Sequence, residues 1–200
     1  MDENQGTREN LLAAAIEVID QNGMKAVRVR DIAARAGVKE PSVYHYFGSR
    51  DGLVEAAQAQ RYTRGLLELT GVFDQLVRAC NNVEEFNQVI IRVLAAVFAP
   101  EREAIRAVRA DVLGSAMSRP RLKQEVAFSQ SASHQLLSGT ISFAQEQGWV
   151  RSELDTMAFA VWYTGMVNGR LVYEIDPEQC EPDEWDHIAQ EATLHLLRQK

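Results

Sequence analysis

Two hundred residues are enough for one large domain or two small ones with a substantial hydrophobic core. Hydrophobic residues at 46% and charged residues at 24% exclude a disordered chain, and no apolar run approaches the roughly 20 residues of a membrane-spanning helix. The net charge of −7 argues, taken alone, against a nucleic-acid partner. Because the N-terminus has no secretory signal and Cys80 and Cys180 lie far apart, we expect a cytoplasmic protein with free thiols and no membrane partner, although a disulfide stays open.

Apolar residues recur at helical spacing along almost the whole chain, without the alternation typical of strands. The predicted fold class is therefore all-α. Thr7 is a suitable N-cap for the first helix, and Gly23 supplies its C-terminal stop. The predicted helices lie near residues 7–22, 29–36, 40–47, 50–70, 84–99, 101–117, 121–147, 155–174 and 183–198.

The second and third helices are short, and the turn that joins them contains Gly37, which can adopt a positive φ. This is the arrangement of a helix-turn-helix, whose second helix enters the DNA major groove. Residues 25–50 form a basic island in an otherwise acidic chain, as a localised anionic partner would require. The residues that we expect to contact DNA are Arg28, Arg30, Lys39, Pro41, Ser42, Tyr44, His45 and Arg50.

The face of the third helix that meets DNA follows from the side that packs inward. If Val43 and Phe47, at i and i+4, are buried, then Ser42 and His45 are available to hydrogen-bond base edges, and Pro41 can meet a thymine methyl group.

Arg50 opens the fourth helix, where its charge opposes the helix dipole. Since a cation at that position has little structural justification, a phosphate contact is the better explanation.

Three sequence runs carry a family resemblance: RDIAARAGV at residues 30–38, SVYHYF at 42–47 and SRDGL at 49–53. Together they resemble the N-terminal domain of the tetracycline-repressor (TetR) family of bacterial transcriptional regulators. The resemblance implies a homodimer that binds a palindromic operator and releases it when a small effector occupies the C-terminal domain. The chain departs from the family pattern at the start of the second helix, at Lys39, where a small capping residue is usual, and at Arg50, where lysine is usual.

On this basis residues 1–48 are expected to form the DNA-binding domain, with its motif at about 28–47, and residues 49–200 a helical ligand-binding and dimerisation domain. A mainly apolar effector pocket is expected from Leu113, Met117, Phe128, His134, Phe143 and Trp162. The dimer interface is expected on the last two helices, which supply Gly165, Gly169, Ile188, Ala192 and Leu196.

Two other classes of function are the alternatives to a regulator. An enzyme is not expected, because the chain has no glycine-rich phosphate loop, nucleophile elbow or His-Glu-x-x-His motif. An all-helical adaptor or small-molecule-binding protein without DNA binding is the alternative. His187, Glu191 and His195 share one helix face, but a solvated surface explains them better than a metal site, and no metal or other cofactor is expected.

Overall fold

The computed structural model describes residues 3–63 and 66–199, and every regular element in these ranges is helical. The predicted all-α class is confirmed. The helices are α1 (Glu3–Asn22), α2 (Val29–Arg35), α3 (Glu40–Phe47), α4 (Arg50–Thr63), α5 (Leu66–Arg78), α6 (Val83–Phe98), α7 (Glu103–Ala116), α8 (Pro120–Glu146), α9 (Thr156–Ile175) and α10 (Pro182–Leu197). Among the described helices, none combines the length and apolarity needed to cross a bilayer.

Two helix bounds differ from the prediction. α1 begins at Glu3, so Thr7 lies within the helix instead of capping it. The residues before Thr7 include Glu and Gln, which favour helix and allow it to start earlier. The helix predicted to end near Thr70 is described as α4 and α5, and the latter continues to Arg78 because its apolar spacing continues through Phe73 and Val77.

Internal contacts divide the chain into two compact units. The first comprises residues 1–64 and 112–126, and the second comprises residues 65–111 and 127–200. Helix α8 therefore begins in the first unit and ends in the second. These units are defined by internal contacts, whereas the boundary expected at residue 48 separates two functions. The functional boundary therefore stays a prediction.

The first unit is built on the apolar faces of α1 to α4. Its buried core consists of Leu11, Leu12, Ala14, Ala15, Val18, Ile19, Val27, Ile32, Ala33, Val43, Phe47, Leu53, Val54 and Ala57. The spacing of these residues follows the helical period, so that each helix buries one stripe.

Helix α4 begins in close contact with the end of α3. A Cβ atom at Gly52 would lie 2.1 Å from the carbonyl oxygen of Phe47, a distance that no side chain tolerates. Glycine is therefore required for α4 to approach α3 this closely. The Ser49 hydroxyl accepts a 3.0 Å hydrogen bond from the Gly52 amide and caps the helix, as its position in the sequence suggests.

The second unit buries a larger apolar core from α5, α6, α8, α9 and α10, extending from Phe73 on α5 to Leu197 on α10. A chain of buried charges crosses one side of it. Arg106 pairs with Glu174, and Arg170 pairs with both Glu174 and Asp186 at 2.8 Å. Arg106 also donates to the carbonyl of Val97 near the end of α6. The network ties α6, α7, α9 and α10 together with each charge opposed.

Candidate functional site

The turn between α2 and α3 has the geometry that the sequence predicted. Gly37 adopts a φ of 70°. The Gly37 amide donates to Ala34 O at 3.2 Å, and the Val38 amide donates to Ala33 O at 2.9 Å. These bonds satisfy the last carbonyls of α2 and end that helix with a left-handed residue. The angle between α2 and α3 is thereby set by local hydrogen bonds.

The two faces of α3 are divided as predicted. Val43 and Phe47 are 0% and 3% exposed and belong to the core. Pro41, Tyr44 and His45 are exposed, and Ser42 is half-buried. The outer face of α3 therefore offers an imidazole, a phenol, a hydroxyl and a pyrrolidine ring.

The His45 ring is oriented by a neighbour on its own helix. It meets the Tyr46 ring edge-on, with 4.9 Å between the ring centroids. Tyr46 is half-buried and also contacts the Phe47 ring at 6.3 Å. A side chain that is held in this way has less rotamer freedom to lose when it binds a partner.

The basic residues predicted to surround α3 are exposed. Arg28, Arg30 and Lys39 all lie at the surface, and the Arg30 side chain is 84% exposed, with only a 3.6 Å contact to Asp31. Arg28 and Lys39 occupy the N-cap positions of α2 and α3 without making a side-chain capping bond. Their charged groups therefore remain available to an external anion.

Arg50 has structural partners, so the expectation that it has little structural justification is wrong. Its Nε donates to Val27 O at 2.9 Å, and its Nη2 donates to Met24 O at 2.8 Å. The guanidinium thus holds the 3-10 turn Met24–Ala26 that leads into α2. Its partners lie 23 and 26 residues away in sequence, which is why helix position alone did not reveal them.

Two residues that are distant in sequence contact the same turn. The Met24 sulfur accepts hydrogen bonds from Gln58 Nε2 at 3.1 Å and from Arg119 Nη1 at 3.6 Å. A Cβ atom at Gly52 would lie 3.4 Å from Nη1 of Arg121. Arg119 and Arg121 flank Pro120 at the start of α8, where a positive charge opposes the helix dipole. That unfavourable placement is the one feature of the sequence that indicates a structural role for these two arginines.

The residues predicted to line an effector pocket are dispersed. Leu113 and Met117 belong to the first unit and the other four to the second. Met117 and Phe128 are 76% and 78% exposed. Phe143 packs between Trp149 and the Arg78 guanidinium. Trp162 packs on Phe159.

His134 makes one polar contact, with Nε2 at 3.1 Å from the Thr164 hydroxyl. Burial of the imidazole lowers its pKa, so the ring stays neutral at physiological pH. A neutral, hydrogen-bonded histidine that links α8 to α9 satisfies its own polar group, which is the structural role that the sequence left open.

Among the cavities that the described residues form, two lie in the second unit, and neither of these two is lined by a residue from the predicted set. An open groove of about 590 Å³ follows α5 and α6, and two of its polar groups have partners: Glu85 accepts from Asn81 and Asn82, and Cys80 donates to Leu76 O.

The second cavity is a narrow slot of about 10 Å³ within the helices of the unit. It is lined by Phe73, Ile90, Val93, Leu94, Leu137, Phe159, Tyr163 and Thr193. We refer to these eight residues as the slot.

The predicted interface residues lie on α9 and α10. Gly165 and Ile188 are exposed, while Gly169, Ala192 and Leu196 are half-buried. Large apolar side chains remain exposed on these two helices, namely Met157, Val161, Trp162, Val172, Ile175 and Ile188. A Cβ atom at Gly165 or Gly169 would meet nothing within 4 Å. Both glycines therefore leave open space beside the apolar side chains.

Among the described residues, no group of three or more His, Cys, Asp or Glu side chains is placed to hold a metal ion. His187 Nε2 lies 3.6 Å from Glu191 Oε1 on an exposed face of α10.

Comparison with known proteins identifies the helix-turn-helix segment. The sequence model of the bacterial regulatory proteins of the tetR family matches residues 11–57. The HTH-type transcriptional regulator BetI of Stenotrophomonas maltophilia is 45% identical over 53 residues, which are 26% of this chain and 27% of BetI. The chain thus matches about a quarter of the length of this curated relative.

Solved structures match the fold over nearly the full length. A TetR-family transcriptional regulator from Mesorhizobium loti has a TM-score of 0.75 with 15% identity and covers 100% of both chains. A transcriptional regulator from Saccharomonospora viridis in complex with choline has a TM-score of 0.66 with 17% identity, covering 96% of this chain and 98% of that one. Residues 11–57 therefore match the tetR family of bacterial regulatory proteins in sequence, and the chain shares its fold with solved structures of that family.

Proposed function

We propose that this protein is a ligand-responsive transcriptional regulator, and that it acts as a repressor. It binds a palindromic operator as a homodimer and releases the operator when a small molecule binds. The observation that carries the proposal is the outer face of α3. It exposes His45, Tyr44 and Pro41 beside the basic residues Arg30 and Lys39, in a chain that is acidic elsewhere.

The chemistry of this face suits the major groove. The imidazole of His45 and the hydroxyl of Ser42 can exchange hydrogen bonds with base edges, and the Pro41 ring offers an apolar surface to a thymine methyl group. Arg28, Arg30 and Lys39 present exposed cations to phosphates, which position the helix without reading sequence. Arg50 serves by fixing the turn before α2, and its partly exposed charge can also reach a phosphate.

The homodimer is supported by the exposed apolar residues of α9 and α10. Val172, Ile175 and Ile188 are 76%, 77% and 66% exposed, an arrangement that a soluble monomer rarely tolerates. Gly165 and Gly169 leave room for a second helix to approach closely. Two copies related by a twofold axis would present two α3 helices to half-sites about 34–36 Å apart, or a multiple of that distance.

Release by an effector requires that binding favour a conformation in which the two α3 helices are wrongly spaced. Linkage then demands that operator DNA weaken effector binding by the same factor.

The test is selection from a randomised duplex library with the full-length protein. We expect enrichment of a palindrome, and we expect the wild-type protein to bind that palindrome with a two-to-one stoichiometry in analytical ultracentrifugation. An all-helical adaptor without DNA binding would enrich nothing. Enrichment of non-palindromic sequences by a monomer would contradict the dimeric part of the proposal.

A further inference from the structure

Three cations lie close together in sequence where α8 begins. Arg119, Arg121 and Lys123 alternate with Pro120 and Leu122, in a chain whose net charge is −7. By internal contacts this stretch belongs to the first unit, together with the helix-turn-helix. We refer to Arg119, Arg121 and Lys123 as the basic segment. The positive charge of the first unit therefore extends beyond the helix-turn-helix.

Two cations of the basic segment lie beside Arg50. Arg119 Nη1 is 3.6 Å from the sulfur of Met24, and Arg50 Nη2 donates to the carbonyl oxygen of the same residue at 2.8 Å. Arg121 Nη1 is 3.4 Å from the position that a Cβ atom of Gly52 would take, in the first turn of α4. Three guanidinium groups thus surround the place where the turn before α2 meets the start of α4.

The charge of the basic segment is not neutralised by ion pairs. Asp51 pairs with Arg50 at 2.9 Å, but among the described residues none of the three side chains of the segment forms an ion pair. Arg121 and Lys123 are exposed. Like charges that lie this close to one another repel, and a bound anion relieves that repulsion.

Packing explains Arg119 but not the other two cations. Arg119 donates to the Met24 sulfur, whereas in the described part of the chain Arg121 and Lys123 make no hydrogen bond. Leu122 and Val126 are 0% and 3% exposed, and their burial anchors this part of α8. The fold therefore does not depend on the charges at positions 121 and 123.

We propose that Arg121 and Lys123 bind the phosphate backbone of the operator, as a contact to double-stranded DNA from outside the helix-turn-helix. This inference rests on the proposed function, which supplies the DNA. Duplex DNA carries one negative charge about every 1.7 Å along its axis, so a backbone that reaches Arg50 brings further phosphates to the cations beside it. Such contacts fix the protein on the duplex without reading its sequence.

The contact has a measurable dependence on salt. Each phosphate contact contributes about 0.9 to the slope of log affinity against log salt, so the loss of two contacts lowers the slope by about 2 per subunit. For a dimer, the deficit in affinity relative to wild type then shrinks by about 100-fold between roughly 50 and 200 mM salt.

The experiment is a fluorescence anisotropy titration of the full chain at several salt concentrations, on the selected palindrome and on an unrelated duplex of the same length. The test variant is Arg121→Gln/Lys123→Gln, and Arg121→Lys/Lys123→Arg keeps both charges. Arg92→Gln/Arg198→Gln is the matched control, because it removes two exposed cations from the second unit. Arg119 is left unchanged, since its contact with Met24 is structural. Thermal unfolding checks that each variant folds, and Lys123→Gln alone should give half the change in slope.

We expect the slope to fall by about 2 per subunit in the test variant on both duplexes, and to stay at the wild-type value in the charge-preserving variant and in the control. The inference is overturned if the test variant keeps the wild-type slope, or if the control loses as much, which would indicate a long-range effect of net charge. A loss confined to the palindrome would also overturn it, because base reading would then replace the phosphate contact.

The wild-type titration separates this inference from the proposed function. Binding by wild type with an unchanged slope in the test variant overturns the phosphate contact alone. If wild type binds neither duplex, the proposed function and the contact fail together.

Discussion

Replacing Arg50 with alanine tests whether the start of α4 controls the helix-turn-helix through the turn before α2. The substitution removes the hydrogen bonds to Val27 O and Met24 O. Hydrogen bonds from a charged donor contribute about 1.5–3 kcal/mol when buried, but the Arg50 side chain is 40% exposed and solvent screens it. We therefore expect a loss of about 1–2 kcal/mol for the pair. Arg50→Lys, which can keep one bond, should lose about half as much.

The effect should be local, so hydrogen–deuterium exchange without DNA is the suitable assay. A loss of this size speeds amide exchange in residues 24–36 by about 5–30-fold if these amides open together. Tryptophan fluorescence should change little, because Trp149, Trp162 and Trp185 all lie in the second unit. Arg30→Ala is the control, since that side chain is 84% exposed and should leave exchange unaltered.

Unchanged exchange across residues 24–36 in Arg50→Ala would refute the structural role. A salt titration of DNA binding then separates the second role, a phosphate contact. Loss of one contact lowers the slope of log affinity against log salt by about one per subunit in Arg50→Ala, whereas Arg50→Lys preserves it.

Three further predictions concern DNA reading, assembly and pH. His45→Ala should weaken binding to the selected palindrome by about 1–3 kcal/mol and binding to random duplex much less, as measured by fluorescence anisotropy; equal losses on both DNAs would show that His45 does not read bases. Gly169→Arg should give monomers in light scattering at micromolar concentration, because the side chain fits the protomer but would enter the interface, and an unchanged dimer mass would displace the interface from α9. The folded-state pKa of His134 is lowered by burial, so the unfolded state binds the proton first as the pH falls; stability should be complete above the unfolded value of about 6.5 and decline as the pH falls below it. Urea unfolding at pH 7.5 and 5.5 should show that His134→Gln lacks this component while the exposed His187→Gln keeps it, and an identical pH dependence in His134→Gln would contradict the assignment.

The sequence predicted the first unit well because its signals are local. The bounds of α3, the positive φ of Gly37 and the burial of Val43 and Phe47 all follow from periodicity and turn chemistry within about 20 residues. The partners of Arg50 lie on another element, and no helical wheel could show that two carbonyl oxygens point toward it.

The slot was harder to predict because five helices contribute to it. Phe128 was chosen for its aromatic character, yet it is 78% exposed. The buried stripe of α8 runs through Leu122, Val126, Leu137 and Ile141, and Phe128 lies off that stripe. The helical period of α8 therefore places Phe128 outside the buried stripe, whereas the slot depends on packing between helices distant in sequence.

The first unit is assembled from two separate stretches of the chain, and this has a consequence for modularity. A graft of residues 1–64 onto another regulator would leave Arg119 behind, together with its hydrogen bond to the Met24 sulfur. The recipient protein would have to supply another hydrogen-bond donor to the Met24 sulfur. Residues 112–126 are therefore expected to change in step with the helix-turn-helix as the family diverges, rather than with the ligand-binding helices that surround them in sequence. Under the proposed function, the part of the chain that is inherited for operator reading is larger than the helix-turn-helix itself.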